Sequence, residues 1–170
     1  MCIRDSLYAV TVPMFVRGLK NLDHLLAKAI DCGVDETSLV EARLIADMLP
    51  LTRQVQIACD TAKFAAIRVG QAAPLAMPDD EKTLRELRAR ITKTVAYLEA
   101  VDPAGFEGRE DAEVILKLPS TEMTFTGASY VTDFALPNFF FHLTVAYSLL
   151  RMKGVGIGKM DYLAGGSHAA

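Results

Sequence analysis

The sequence predicts an all-α domain, a four-helix bundle with a small β-hairpin between the third and the last long helix. Three observations predict it. Four long stretches repeat apolar residues with the period of a helix, and one short segment alternates apolar and polar residues instead. Hydrophobic residues make up 51% of the 170 residues, enough for one core of its own. Together these features predict a single helical domain.

The first two long helices are predicted from their apolar stripes. In the first, Pro13 suits the first turn, because its missing N–H would be unpaired there anyway. A short helix is predicted from about Glu36 to Asp47, with Asp35 as its N-cap. The second long helix starts at Pro50 and is rich in Ala, which lets a neighbouring helix approach closely. The stripe of the first helix consists of Phe15, Leu19, Leu22, Leu26 and Ile30.

The third and last long helices flank the hairpin. Asp79 or Asp80 is expected to cap the third helix, whose exposed face pairs Glu86 with Arg90 at i, i+4. The hairpin is predicted over residues 114–125 with its turn at 119–120. The last helical region begins near residue 126, bends at Pro137 and ends near residue 152. It is apolar almost all round, which is typical of a helix buried on more than one side. No helical period follows Gly154.

Composition excludes several classes of protein. A net charge of −3 and a pI near 5.6 argue against a nucleic-acid partner, which needs a basic surface. The longest apolar stretch, residues 134–150, contains Pro137, Asn138 and His142 and is too short for a membrane helix. Three cysteines make neither a disulfide framework nor a zinc site. We therefore expect a cytoplasmic protein that binds neither nucleic acid nor membrane.

Both ends of the chain are set apart from the domain. Residues 1–6 have no apolar period, and their back-translation resembles the end sequence of a transposon used in library preparation. We interpret them as a non-native N-terminal artefact; a short genuine N-terminus is the alternative. Residues 164–170 are expected to form a flexible tail.

Three histidines are the first candidates for chemistry. His24 lies opposite the apolar stripe and is expected to face solvent, and His168 lies in the tail. His142 falls inside the most buried helix. It is either a structural histidine held by a neighbouring group or a pocket residue acting with Asn138 and Tyr147. A three-histidine metal site is not predicted.

Several segments carry a recognisable family pattern in the same order. The chain resembles the bacterial family DUF1993, a domain of unknown function related to the DinB-like four-helix bundles, over about Leu7 to Leu163. The resemblance implies a long crossover between helices, frequent dimers and no established activity. Its segments are Val12–Leu19, Arg43–Gln56, Phe125–Gly127, Leu136–His142 with Ala146–Tyr147, and Gly154–Leu163.

Many DinB-like proteins hold a divalent metal with three histidines, one from the second long helix and two from the last. By that resemblance His142 stands at one ligand position and is the one weak metal candidate. The second long helix has no His, and its polar candidates are Gln54, Gln56 and Asp60. We therefore expect no cofactor, with a divalent metal as the alternative.

The resulting prediction is a homodimeric bundle that binds a small molecule or a partner. The alternative is a divalent-metal-dependent, thiol-transferase-like enzyme that uses His142. One of the three phenylalanines at 139–141 is expected to serve a dimer interface. The pocket residues are Arg53, Gln54, Gln56, Asn138, His142 and Tyr147, and the residues of the family motif are Gly158, Lys159, Asp161 and Tyr162.

Overall fold

The computed structural model describes residues 7–118 and 120–165, and most of them are helical. A short 3₁₀ turn, Pro103–Phe106, precedes the hairpin, and a π-helical turn, Tyr130–Ala135, precedes the last long helix. The helices and strands are α1 (Leu7–Asp31), α2 (Glu36–Val40), α3 (Leu51–Arg68), α4 (Leu84–Glu99), β1 (Glu113–Leu118), β2 (Thr121–Thr126), α5 (Gly127–Ser129), α6 (Leu136–Met152) and α7 (Lys159–Ala164).

The four long helices enclose one hydrophobic core. The helix α1 packs against α4, α6 and α3, and α3 packs against α6 and α4. The apolar stripes predicted for these helices face one another, and Phe15, Val55 and Leu87 are fully buried. Phe139 from α6 meets Phe15 edge to face, with their ring centroids 4.9 Å apart. Burial of these stripes is the main stabilising contribution to the fold.

The helix α1 begins earlier than predicted. It starts at Leu7, so Pro13 lies inside it and not in its first turn. Leu7 and Val12 are buried against the core, and we attribute the extra turns to this apolar contact, which outweighs the hydrogen bond that Pro13 cannot make. Asp35 caps α2 as predicted, but α2 ends at Val40 and does not reach Asp47.

The N-terminus of α4 corrects two predictions. Thr83 is the N-cap, and its hydroxyl accepts a hydrogen bond from the backbone N–H of Glu86. The Glu86 carboxylate in turn accepts hydrogen bonds from the backbone N–H groups of Lys82 and Thr83, 2.7 and 2.9 Å away. Thr83, and not Asp79 or Asp80, therefore caps the helix. Because the Glu86 carboxylate is already bound in this reciprocal capping box, it does not pair with Arg90.

The hairpin is confirmed, and a π-helical turn lies just before Pro137, where the sequence predicted a bend. The strands β1 and β2 are antiparallel, and Val114 faces Phe125 across them. Val114 and Leu116 are buried, which anchors the hairpin on the helices. Of the predicted turn, Pro119 lies outside the described residues. Pro137 stands at the start of α6, directly after the π-helical turn.

The segment after Gly154 contains a helix that its sequence did not predict. The helix α7 spans Lys159–Ala164 and packs against α1. Ala164, assigned to the tail, is therefore its last residue. Residues 1–6 and residues 166–170, with His168, lie outside the described part of the chain. None of the described helices is both long and apolar enough to span a bilayer.

Candidate functional site

The side chains of Gln54 and His142 meet between α3 and α6. The Nδ1 atom of His142 lies 2.6 Å from Oε1 of Gln54. The amide nitrogen of Gln54 donates to the carbonyl oxygen of Leu49 over 2.9 Å. Because this fixes the Gln54 oxygen as an acceptor, Nδ1 of His142 carries the proton and Nε2 bears the lone pair. Both residues are buried, with exposed fractions of 1% for Gln54 and 9% for His142.

His142 is a neutral imidazole at neutral pH. Burial lowers its pKa to about 4, since a charged ring loses hydration that the surrounding core does not replace. Its hydrogen-bonding partner, Gln54, is also uncharged and gives the protonated form no compensating charge. The pair therefore has the character of a structural hydrogen bond between two helices.

The other residues predicted around His142 have separate partners. Asn138, one turn earlier on α6, donates to the hydroxyl of Thr61 on α3 over 2.8 Å. Tyr147 follows His142 by five residues, about 140° around the helix, and its ring lies 5.7 Å from that of Tyr162. The structure thus brings Gln54 and His142 together and places Tyr147 against α7.

These residues do not fit a metal centre. Zinc and similar ions need three or four ligands from His, Cys or carboxylate side chains. Among residues 7–118 and 120–165, no group of three such residues lies close enough together to hold an ion. At His142 the nearest polar partner is an amide, and Gln54 already uses both of its polar atoms.

Arg53 and Gln56 belong to a different group, a network of charged side chains centred on Arg90. The side chain of Arg90 is only 1% exposed. One terminal nitrogen lies 3.0 Å from Asp60 and 2.9 Å from Asp79, and the other lies 3.0 Å from Glu81. A buried guanidinium with three carboxylates around it is electrostatically over-compensated. We call this group the Arg90 network: Arg53, Gln56, Asp60, Lys63, Asp79, Glu81 and Arg90.

The remaining members of the Arg90 network balance its charge. Lys63 lies 2.8 Å from Asp60, and Gln56 links Arg53 to Glu81 through hydrogen bonds of 2.7 and 2.8 Å. Three cations therefore face three carboxylates. Burial alone would raise the pKa of Asp79, but the guanidinium groups of Arg53 and Arg90 hold it below its usual range.

Cys59 lies beside this network, and its thiol is unreactive. It is fully buried, and burial raises the pKa of its thiol to about 12. A thiol with such a pKa is protonated at neutral pH and is a poor nucleophile. Its part is therefore to fill space in the core.

A groove of about 320 Å³ opens beside the Arg90 network. It lies between α4 and the connection that precedes it. The network supplies Arg90 and Glu81, whose positions are fixed by their ion pairs. The lining residues are Met77, Pro78, Asp80, Glu81, Glu86, Ala89, Arg90 and Lys93.

The residues of the family motif hold α7 on α1. Asp161 accepts a hydrogen bond from the backbone N–H of Gly158 over 2.7 Å, and lies 2.9 Å from His24 and 3.0 Å from Lys28. Burial alone would raise the pKa of Asp161, but the hydrogen bonds from His24, Gly158 and Lys28 lower it to about 2. His24, predicted to face solvent, is instead partly covered by α7, and 29% of its side chain is exposed.

Tyr162 and Lys159 complete this contact in different ways. The backbone oxygen of Tyr162 accepts from Asn21 over 2.8 Å, and its hydroxyl lies 3.0 Å from that of Thr144. Lys159 is exposed beside a smaller cavity of about 230 Å³ next to Tyr147. The motif therefore docks a short helix.

Arg90 is the residue that sequence reasoning missed. The prediction treated it as the exposed partner of Glu86. The sequence did contain an indication of this burial. Arg90 lies between Leu87 and Ile91 of the apolar stripe, and Thr94 lies one turn later on the same side of the helix as Arg90. Both Arg90 and Thr94 are buried. A charged residue so close to an apolar stripe indicates a buried ion pair.

Two comparisons bear on identity. The family described as "Domain of unknown function (DUF1993)" matches residues 7–163. The crystal structure of a DinB family member from Shewanella denitrificans is 41% identical, with a TM-score of 0.82, over 92% of this chain and 91% of that one. None of the curated proteins matches the sequence.

Proposed function

The chain belongs to the DUF1993 family, and from that premise we propose that it is a cytoplasmic, DinB-like four-helix-bundle protein that binds a small ligand in the groove beside the Arg90 network. One observation carries the proposal. Arg90 is held almost fully buried by three carboxylates, yet it lines an open groove of about 320 Å³. Preorganised charge beside a concave surface is the usual design of a small-molecule site.

Energetics support this assignment. Burying an ionic network seldom stabilises a fold more than apolar residues of similar volume would. The Arg90 network therefore adds little to the stability of the fold. A role in binding a polar ligand would account for its presence. The Gln54–His142 pair is neutral, and both polar atoms of Gln54 already have partners, so it offers less to a ligand.

Filling the groove tests this proposal. Ala89 is exposed and lines the groove, so Ala89→Trp should block it. Ala96 is an exposed alanine on the same helix that lines the different groove between α1 and α4, so Ala96→Trp is the matched control. A panel of amino acids, short peptides, polyamines and phosphates is screened by thermal shift. We expect at least one compound to stabilise the original protein and the Ala96→Trp variant but not the Ala89→Trp variant. Equal stabilisation of both variants by every binding compound contradicts the site.

The metal-dependent alternative has one measurable requirement. His142 presents a neutral ring whose Nε2 has no hydrogen-bond partner among the described residues, which suits a single ligand bond. Metal analysis of protein purified without an affinity tag decides between the two functions. Stoichiometric Zn, Ni, Fe or Mn would favour the enzyme, and we expect none.

We also propose a homodimer that uses the exposed aromatic surface of α6. Phe139 is fully buried and Phe140 is half-buried, whereas Phe141 is 53% exposed. Exposed aromatic rings are enriched at protein interfaces. Sedimentation at micromolar concentration should show a dimer that Phe141→Ser weakens, and a monomer for the unsubstituted chain would contradict this proposal.

A further inference from the structure

The family motif at residues 154–163 has no part in the groove beside the Arg90 network. It forms α7 and the glycine-rich connection that precedes it. Although α7 packs against α1, none of its six residues is buried. A helix of this length is not stable alone, and without buried residues it adds little hydrophobic stabilisation to the fold. What α7 covers is therefore the better guide to its role.

A cavity of about 180 Å³ lies between α1, α6 and α7. Tyr162 and Leu163 of α7 close one side of it, and most of the other lining side chains are apolar. An apolar cavity of about 150 Å³ is large enough to hold benzene, so this one has room for one aromatic ring. The lining residues from α1 and α6 are Met14, Arg17, Gly18, Asn21, Phe140 and Leu143.

Polar contacts at the rim hold α7 over this cavity. Arg17 donates a hydrogen bond to the backbone oxygen of Leu163 over 2.9 Å. Asn21 donates to the backbone oxygen of Tyr162 over 2.8 Å. The carboxylate of Asp161 adds its ion pairs to α1. Ion pairs at partly exposed positions are individually weak, so α7 can move aside without opening the main core.

The backbone around α7 suits such a movement. Gly154 and Gly165 stand on either side of the helix with positive φ angles of 88° and 55°, which glycine adopts without strain. Val155 and Ile157 are buried, so the connection stays anchored to the core as far as Ile157. A hinge is therefore expected at Gly158, directly before α7.

The charge at the rim indicates which ligands fit. Arg17 is the one charged side chain among the described residues that line the cavity, and none of them is acidic. Its single hydrogen bond to the described part of the chain goes to Leu163, which leaves other N–H donors of the guanidinium group for a ligand. A guanidinium group pairs well with a carboxylate, through two parallel hydrogen bonds. An apolar cavity with such a rim matches a ligand that has an apolar body and a carboxylate.

We propose that α7 is a lid over a second ligand site, which takes a small aromatic carboxylate with its ring between α1 and α6 and its carboxylate at Arg17. The lid moves aside about Gly158 to admit the ligand and then closes on it. This site shares no lining residue with the groove beside the Arg90 network, so the inference stands independently of the proposed function.

Benzoate, benzamide and acetate are titrated into the full-length protein, and amide NMR signals of residues 14–21 and 159–164 report binding. We expect benzoate to bind about fivefold more tightly than benzamide, which has the ring without the charge. Acetate has no ring and should not bind. Arg17→Gln should lower the affinity for benzoate to that for benzamide. Arg85→Gln, at an exposed position of α4, is the control for loss of a surface charge.

Three other variants test the position of the site and the lid. Met14 is 40% exposed and lines the cavity, so Met14→Trp should fill it and abolish benzoate binding. Val10 lies one turn earlier, is 42% exposed and does not line the cavity, so Val10→Trp should leave binding unchanged. Asp161→Asn loosens α7 and should speed both association and release of benzoate several-fold, as measured from NMR line shapes.

The outcomes separate the ligand class, the position of the site and the lid. Equal affinities for benzoate and benzamide overturn the assignment of a carboxylate. Benzoate binding that persists in folded Met14→Trp overturns the site; if that variant does not fold, the signals that benzoate moves in the unsubstituted protein decide instead. Exchange rates unchanged by Asp161→Asn overturn the lid. If no compound moves the signals of residues 159–164, the whole inference fails, whereas the groove beside the Arg90 network is unaffected.

Discussion

The imidazole of His142 and the amide of Gln54 form a 2.6 Å hydrogen bond between α6 and α3. Each side chain lies on a helix that buries its apolar stripe in the same core. Since Gln54 also binds the carbonyl oxygen of Leu49, the pair ties the start of α3 to the middle of α6. A neutral bond at this point fixes the relative position of the two helices without a charge in the core.

Protonation of His142 should destabilise the protein in mild acid. The pKa is about 4 in the folded state and about 6.5 in the unfolded chain. Between these values the unfolded chain binds a proton that the folded one does not, so the free energy of unfolding falls as the pH is lowered. The loss approaches about 3 kcal/mol near pH 4, at about 1.4 kcal/mol for each unit of pKa difference.

Urea denaturation between about pH 7 and about pH 4.5 measures this loss. His142→Gln removes the titrating group and should flatten the pH dependence in that window. Asp161 does not interfere, because its pKa is lowered to about 2 and its contribution is lost only as the pH falls from about 4 towards 2. An identical slope in the His142→Gln variant would contradict the assignment.

The helices and the hairpin were predictable because each has a local periodic pattern. The stripe that contains Phe15 and Leu26 repeats with the helical period and needs no tertiary information. The alternation around Val114 identified a strand in the same way. Pro137, where a bend was predicted, stands in the first turn of α6, where the backbone donor that proline lacks is not needed.

The Arg90 network and α7 were not predictable because long-range contacts stabilise them. Asp161 and His24 are 137 positions apart, and α7 has only six residues, too few to be stable alone. Arg90 depends on Asp60 and Asp79, which lie on other segments. For the candidate site, the sequence indicated Arg53 and Gln56 as polar members of a pocket but placed them with His142.

Removing the charge of Arg90 should destabilise the fold strongly. Arg90→Met leaves Asp60, Asp79 and Glu81 close together without their shared cation. We expect a loss of about 3 kcal/mol, the usual cost of breaking a buried ion pair from one side. Arg85→Met, on an exposed position of the same helix, should change the free energy of unfolding by less than about 0.5 kcal/mol. Chemical denaturation compares the free energy of unfolding of the two variants. Equally small decreases in both would show that Arg90 stabilises the fold only through its aliphatic stem.

Loss of the Asp161 carboxylate should release α7 before the rest of the fold. Asp161→Asn removes the charge that His24 and Lys28 share and weakens the capping bond to Gly158. We expect faster amide hydrogen exchange in residues 159–164 and a decrease of about 1 kcal/mol in global stability. Asp111→Asn, at an exposed position, serves as the control. Unchanged exchange in α7 would mean that Tyr162 and its neighbours hold this helix by themselves.

Gly105 should tolerate no side chain, because another backbone segment lies against it. A Cβ atom at this position would collide with the carbonyl oxygen of Gly70, where no flexible side chain can move aside. The turn over Pro103–Phe106 must therefore shift, and Phe106, which is 1% exposed, would leave its place in the core. We expect Gly105→Ala to cost about 1–3 kcal/mol, typical of overpacking. Gly156→Ala is the matched control, since a Cβ there would meet no atom within 4 Å. Thermal denaturation of the two variants should show a lower Tm for Gly105→Ala alone; a similar Tm for both would mean that this turn moves away from α3 without loss of packing.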